Sequence, residues 1–482
     1  KIHMIKLFNT YSRKLEEFKP QNPPLVTFYG CGPTVYDYAH IGNLRAYVFD
    51  DTVRRVLELN GYQVKEVINI TDVGHLTSDA DAGEDKMMKG LKREGLDLSV
   101  TSMLKLSQMY TDEFMKNLNA LNILKPQVMP RATEHVQEMI SIIEKLITNG
   151  CVYETSKGFY FDTANFKDYG TLGNLNADSL KAGARIEIDP EKRNPFDFAV
   201  WIKAVGENAN HLMLWDAPFS SVKGFPGWHI ECSAMSMKYL GETLDIHAGG
   251  IDHIQVHHTN ENAQSVCATG KQFVKYWIHN EFVVVRSADK TNADGADTAE
   301  KMSKSAGTFI RLQDLIDRGY DPIAFRFLVL QAHYRSPIVF SWESLEAASS
   351  GLNNLRDKLL ALGDVVGTPD KRYLDGFKDV INIDFDTPKG LAMVHAVLKD
   401  KALTEADKKA TVLAMDAVLG LNLSALKEQI IDVPADVINL AEQRVAAKQA
   451  KNFGLADELR GKILALGFEV MDTKDGYEIK KK

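Results

Sequence analysis

The stretch that most limits what this chain can fold into is Tyr29-Gly-Cys-Gly-Pro-Thr-Val-Tyr-Asp-Tyr-Ala-His-Ile-Gly-Asn43. The apolar run Leu25-Val-Thr-Phe28 precedes it and reads as a buried strand. After it, Ile41, Leu44, Val48, Val53, Val56 and Leu57 recur at helical spacing until Asn60-Gly61 stops them. A strand that passes through glycines straight into a helix is the crossing of an α/β unit. Open parallel sheets bind ligands there, beyond the carboxyl ends of their strands. The helix start offers free backbone N–H groups and the positive end of its dipole, which suit phosphate. Gly30, Gly32 and Gly42 allow close backbone approach. His40 and Asn43 add donors one turn apart, and Cys31 faces the same mouth.

The rest of the chain extends this unit. Tyr62 to Ile70 reads as the second strand, with Thr71-Asp72 at its carboxyl end. Met103 to Leu121 and Glu134 to Thr148 read as amphipathic helices, and Asp79 to Lys89 as a charged surface loop or helix. Cys151 to Phe161 reads as a hairpin around Thr155-Ser-Lys157, inside an insertion that ends near Phe225. Gly227-Trp-His-Ile-Glu-Cys-Ser-Ala-Met235 then opens a second α/β half. Leu244 to His247 is a short strand, His257 to Gly270 a helix, and Tyr276 to Val285 an apolar strand. Ser287 to Glu300 is small and polar, so a loop is expected before Lys301-Met-Ser-Lys-Ser-Ala-Gly307. Helical periodicity dominates beyond Leu312, and Val437 to Leu466 reads as one long helix with Arg444, Lys448 and Lys451 on a basic face.

Composition narrows the function. At 482 residues the chain should hold about three domains. Its net charge of −8 excludes general adhesion to nucleic acid and leaves local basic patches for any such contact. No apolar run reaches about 18 residues, so no membrane span is expected. The N-terminal residues, set aside before Met4, lack a signal peptide's apolar core. Four cysteines, Cys31, Cys151, Cys232 and Cys267, make no disulfide framework, and a cytoplasmic setting is expected.

Cys31 and Cys232 have no short-spaced metal signature, and by spacing alone two small buried hydrophobes are the better reading. His257 and Glu261, at i, i+4 on one helix face, tip the balance towards a metal. Thiolate, imidazole and carboxylate are zinc donors, and four of them make a tetrahedral site. His258, at i, i+3 from Glu261, is the rival ligand, and spacing leaves that choice open.

His40-Ile-Gly-Asn43 and Lys301-Met-Ser-Lys-Ser305, in this order, resemble the two signature motifs of class I aminoacyl-tRNA synthetases. One cradles ATP at a helix start, and the other brings lysines to the phosphates as pyrophosphate departs. The resemblance becomes specific at the Gly-Cys-Gly-Pro-Thr-Val-Tyr segment, Asn69-Ile-Thr-Asp72, Ala182-Gly-Ala-Arg185, Gly227 to Met235, the His-His-x-Asn-Glu segment and His333-Tyr-Arg-Ser-Pro337. All are similar to cysteinyl-tRNA synthetases, from Leu7 to the end of the chain. Asn43 stands where that family usually has His, Thr259 where it has Glu, and Tyr477 where it often has Trp.

The resemblance implies a Rossmann-like catalytic domain with a connective insertion, a helical bundle and a small anticodon-binding domain. The expected segments are 4–125 and 226–286 for the two catalytic halves, 126–225 for the insertion, 287–345 for the lysine-loop region, 346–435 for the bundle and 436–482 for the anticodon domain. It implies His40, Asn43, Lys301 and Lys304 as catalytic residues, with Lys304 foremost, and His40, Gly42, Asn43 and Lys304 around ATP. It places cysteine among Gly32, Thr71, Trp228, His247 and Asp252. Taken alone, Trp228 would be core packing and His247 a strand-end histidine. It places one zinc ion on Cys31, Cys232, His257 and Glu261. ATP with Mg2+, L-cysteine and tRNA are the implied partners of a monomer. A ligase that joins cysteine to an amino sugar in mycothiol synthesis shares these catalytic features but lacks the full C-terminal region. A catalytically dead relative that binds nucleic acid or protein is the third alternative. Intact lysine and metal-ligand motifs count against it.

Overall fold

Leu25–Gly30 forms strand β1, and Ile41–Leu59 forms the helix α1 that leaves its carboxyl end. Gln63–Ile68 follows as β2 and pairs with β1 in parallel, from Leu25 opposite Gln63 to Gly30 opposite Ile68. These elements come from a computed structural model that describes residues 4–73, 85–175, 190–291, 297–301, 309–426, 433–473 and 476–481. Helix α1 forms because its apolar side chains recur on one face, and Ile41, Leu44, Val48, Val53, Val56 and Leu57 are all buried. Each such side chain contributes about 1.5–3 kcal/mol relative to exposure. A charged residue at Val53 would therefore detach the helix from the sheet.

The second half supplies helix α2 (Trp228–Leu240), strand β3 (Leu244–Gly250), helix α3 (Thr259–Thr269) and strand β4 (Val274–Asn280). The sheet runs β4–β3–β1–β2, all parallel, with Gly30 opposite Ala248 and His247 opposite Trp277. β1 and β3 are neighbours that belong to different halves of the chain. The order therefore reverses between them, and the crevice beyond Gly30 and Gly250 is the ligand position of such a sheet. Between the halves lies an antiparallel sheet of Val152–Glu154, Gly158–Phe161, Phe198–Lys203 and Gly224–Pro226. Its Phe159, Phe161, Phe198 and Trp201 pack on Ile143 and Leu146 of the helix Val136–Thr148.

Two expectations need correction. Tyr276 to Val285 is not one strand. β4 ends at Asn280, and β5 (Val283–Thr291) starts in a second sheet, because Glu281 N turns aside to donate to Tyr334 O at 2.8 Å. The polar stretch after Ser287 is also not a plain loop. Residues of β5 pair antiparallel with β6 (Asp297–Lys301), and β5 pairs in parallel with β7 (Ile338–Phe340). Ladder hydrogen bonds order residues that have little strand propensity of their own.

Contacts divide the chain into two compact units, Lys1–Ser424 and Ala425–Lys482. The first unit ends in the helices Trp342–Leu360, Lys371–Ile381, Thr387–Lys399 and Glu405–Leu419. In the second unit the expected long helix is two, Ala435–Gln449 and Phe453–Ala465, separated at Lys451, whose φ is +56°. Its basic face is partly spent within the unit, since Arg444 and Lys448 both bind the Asp472 carboxylate. No described helix is long and apolar enough to cross a membrane.

Candidate active site

A cavity of about 540 Å³ opens over the β1–β3 crevice. Helix α1 forms one wall, with Gly42 and Asn43 at its top turn and Tyr47 and Asp50 below. The top turn is held by a reciprocal cap. Asn43 N donates to His40 Nδ1 and His40 N donates to Asn43 Oδ1, both at 3.2 Å. The amide at position 43 thus spends its oxygen on the cap, and its Nδ2 donor is the group available to a ligand. Ile41 N donates to Ile310 O at 2.9 Å, and the Phe309 ring sits edge-on to His40 at 5.4 Å. On the other flank, Lys301 pairs with Val284 at the end of β6. Lys304 lies outside the described residues, as do Ala182 to Arg185.

The loop after β1 is pressed against residue 69. A Cβ on Gly32 would lie 1.5 Å from Asn69 O, so only glycine fits there. A buried chain follows. Asn69 Oδ1 accepts from Gly32 N at 2.8 Å, Asn69 Nδ2 donates to Thr71 Oγ1 at 2.9 Å, and Thr71 Oγ1 donates to Glu231 Oε2 at 3.1 Å. Glu231 escaped the sequence reading. Its signal was an acid set among the apolar and small residues of Ile-Glu-Cys-Ser-Ala.

At the floor the four expected metal ligands converge. One donor atom each from Cys31, Cys232, His257 and Glu261 lies within 4.8 Å of the others. A tetrahedral zinc site, with bonds of 2.0–2.3 Å, needs donors separated by about 3.3–3.8 Å. Cys232 Sγ and His257 Nε2 are 3.4 Å apart. His257 Nε2 also lies 2.9 Å from Glu261 Oε1, an oxygen without a hydrogen bond of proper geometry. A second group, Cys31, His247, His258 and Glu261, converges just as closely. It shares two donors with the first but lacks the second thiol. His258 and His257 sit in a single π-turn, Ile254–His258, that precedes α3. From this turn His257 Nε2 reaches Glu261 Oε1 at 2.9 Å and His258 Nε2 lies 4.0 Å from it.

The electrostatics show what the floor requires. Burial raises Glu261, but His247 and His257 outweigh it and hold the carboxyl down at about 2. The hydrogen bond with Cys31 lowers the Cys232 thiol to about 7, against burial. Burial and the same pairing push Cys31 well above the usual thiol range. Burial alone would lower His257, yet Glu261 and Cys232 raise it to about 10. A proton on His257 thus supplies positive charge between a carboxylate and a thiol prone to ionise. A divalent cation bound by these groups would supply the same charge, so the donor set fits a zinc ion.

The other expected residues surround this floor. Trp228 stacks on His257 at 4.3 Å, and Lys86 Nζ lies 5.3 Å from the Trp228 ring. His247 is fully buried and its Nε2 meets Glu261 Oε2 at 3.0 Å. Asp252 and Gly250 line the cavity beside it. Supporting histidines were not singled out in the sequence. His229 Nδ1 meets His257 Nδ1 at 2.9 Å. His279 Nε2 meets His258 Nδ1 at 2.7 Å, and its own Nδ1 meets Thr10 Oγ1 at 2.7 Å. Such partners fix ring orientation.

Comparison with known proteins agrees with this geometry. Residues 17–350 match the family described as tRNA synthetases class I (C) catalytic domain. A Treponema denticola protein named cysteine–tRNA ligase is 43% identical over 500 residues, covering 97% of this chain and 98% of that one. Burkholderia lata cysteine–tRNA ligase 1 is 46% identical over 475 residues, covering 98% and 96%. Among solved structures, Mycobacterium tuberculosis methionyl-tRNA synthetase in complex with methionyl-adenylate superposes with a TM-score of 0.54 at 15% identity, covering 83% of this chain and 90% of that chain. That likeness speaks for the fold alone. With relatives matched along nearly its whole length, the chain belongs to the cysteine–tRNA ligase family of class I aminoacyl-tRNA synthetases.

Proposed function

We propose that the chain joins L-cysteine to its tRNA in two steps, through a cysteinyl-adenylate, and selects its substrate by the thiol. The observation that carries this reading is the convergence of Cys31, Cys232, His257 and Glu261 at the floor of a cavity whose mouth is the cap of α1. Cys31, Cys232, His257 and Glu261 would hold the zinc ion, because this group alone combines both thiols. When bound, zinc supplies a coordination position that takes a thiolate and holds a hydroxyl far less well. Serine and cysteine are nearly isosteric, and apolar contacts separate such pairs by only about 1–3 kcal/mol.

The protein groups do the rest. Trp228, Gly32 and Thr71 shape the space around the amino acid, with Asp252 and His247 at its edge. The substrate carboxylate then faces the α-phosphate of ATP, which enters with Mg2+ over the top turn of α1. His40, Gly42 and the Asn43 amide donor steady the phosphates there. Lys304 and Lys301 neutralise the charge that grows as pyrophosphate separates. The terminal ribose hydroxyl of tRNA then takes the acyl group. The catalytic halves are 4–125 and 226–286. The insertion 126–225, the lysine-loop region 287–345, the bundle 346–435 and the anticodon-binding segment 436–482 complete a monomer working in the cytoplasm.

The test is charging of tRNA with radiolabelled cysteine, with serine as control, on wild type and Cys232→Ser. Transfer of cysteine but not serine by wild type, with loss of zinc and of charging in the variant, is expected. Cysteinyl-adenylate without charged tRNA would turn the reading to the amino-sugar ligase.

A further inference from the structure

Described residues on either side of the lysine motif are tied to α1. Downstream, the ties are backbone ones, from Ile41 N to Ile310 O and through the bridge of His40 with Arg311. A further tie is a side chain, to Phe282 upstream and to His333, Tyr334 and Ser336 downstream. Arg45 is 1% exposed, and its described hydrogen bonds all go to backbone carbonyls. Nη1 donates to Phe282 O at 2.6 Å. Nη2 donates to Ser336 O at 2.5 Å, with Tyr334 O and His333 O at 3.2 and 3.4 Å. Burial lowers the group to about 10, with Glu281 opposing the shift, so it stays charged at neutral pH.

These carbonyls belong to the roots of the second sheet. Phe282 immediately precedes β5, and Phe282 O also accepts from Ile338 N, the first residue of β7, at 3.0 Å. Val284 on β5 is the partner of Lys301 on β6. A planar guanidinium reaches several carbonyls at once from fixed directions, which an ammonium cannot do. Packing alone would be served by an apolar side chain, without burying a charge.

We propose that Arg45 is a positioning residue for adenylate formation, fixing the β5–β6 hairpin, and with it the backbone of Lys301, against the phosphate end of α1. The proposal rests on the reading that Lys301 and Lys304 serve ATP. A group that holds a loop against the reacting phosphates affects the chemical step more than binding of the amino acid.

The test compares two measurements on the full chain: cysteine-dependent ATP–pyrophosphate exchange, and cysteine binding without ATP, followed by Trp fluorescence. Arg45→Met should lower the exchange kcat about 100-fold, with the Kd for cysteine and the zinc content within about threefold of wild type. Arg45→Lys keeps the charge but not the fork and should lose about tenfold. Guanidinium ion should partly restore exchange in Arg45→Ala and leave Arg45→Lys unchanged. Should the apolar variants not fold, Arg45→Lys carries the test. Wild-type exchange in Arg45→Lys, or cysteine affinity and zinc falling in step with exchange, would overturn the proposal. Wild type without cysteine-dependent exchange would instead remove the reading beneath it.

Discussion

The floor and the mouth of the cavity are built differently. At the floor, Cys232, His257, His258 and Glu261 are at most 2% exposed, and each ring is fixed by a partner behind it. At the mouth, Asn43 is exposed, His40 and Gly42 are half-buried, and backbone ties plus one buried arginine set the geometry. Under the proposed function, the difference follows two tasks. Choosing a sulfur over an oxygen needs donors that are dry and preset. Displacing pyrophosphate needs charge delivered as bonds separate, by groups that can also let the product leave.

The comparison breaks most visibly at Cys232. Cys232→Ser should lose bound zinc and more than ~100-fold in cysteine charging, since even outer-shell partners of metal ligands carry 10–100-fold effects. The paired variants His257→Ala and His258→Ala choose between the two donor groups. Zinc analysis should show the ion lost in the first and retained in the second. Retention in His257→Ala with loss in His258→Ala would assign the metal to the group with His247.

At the mouth the pattern should invert. Lys304→Ala should reduce pyrophosphate exchange about 100-fold or more, as removing one group that stabilises transition-state charge does. Cysteine affinity and zinc content should not change. A joint fall in exchange and cysteine affinity would show that the two regions are not separable.

A smaller effect belongs to the scaffold behind the floor. Burial raises the Glu66 carboxyl to about 7 despite Arg54, with Asp51 and Glu58 adding to the rise. Its neighbour Asp50, also buried, is raised well above its usual range by burial and then by Glu66 and Asp51. Glu66 therefore binds more protons in the folded state than in the unfolded one between its ordinary value and about 7. Stability from this group is fully present at low pH and is lost as pH rises through that window. Glu66→Gln should flatten the pH dependence of denaturant stability there by about 1–3 kcal/mol, a range that discounts for the partial pairing with Arg54. An unchanged slope would show that the carboxyl stays ionised throughout.

Much of this was legible in the sequence because it follows local rules. The strand–glycine–helix crossing, the i, i+4 pair His257 and Glu261, and the two lysine and histidine motifs are each short enough to read. What escaped depends on contacts between distant segments. The break at Glu281 comes from a carbonyl at Tyr334, and the β5–β6 pairing orders residues that look like a loop. The π-turn that carries His257 and His258 is a shift in backbone hydrogen bonding that leaves no side-chain period. Arg45 is one of several charged residues on α1, and only the fold shows that it is buried among carbonyls. Glu231 was hidden in the same way.

The smallest expected effect tests the mouth at Asn43. The reciprocal cap with His40 occupies Asn43 Oδ1 and leaves the amide donor to the ligand. Asn43→Ala removes both, so it should cost about 1 kcal/mol of stability through the lost cap and raise the KM for ATP. Asn43→Asp keeps an acceptor for His40 N–H but replaces the donor by a negative charge facing phosphate. It should preserve the melting temperature and raise the KM for ATP further than alanine does. Asn43→His restores an acceptor at Nδ1 and a donor at Nε2, and should recover both properties. If alanine raises the KM for ATP and aspartate leaves it at the wild-type value, the residue acts only through the cap. If aspartate is worse, the side chain faces the phosphates directly, and the amide here does the work of the imidazole usual in the family.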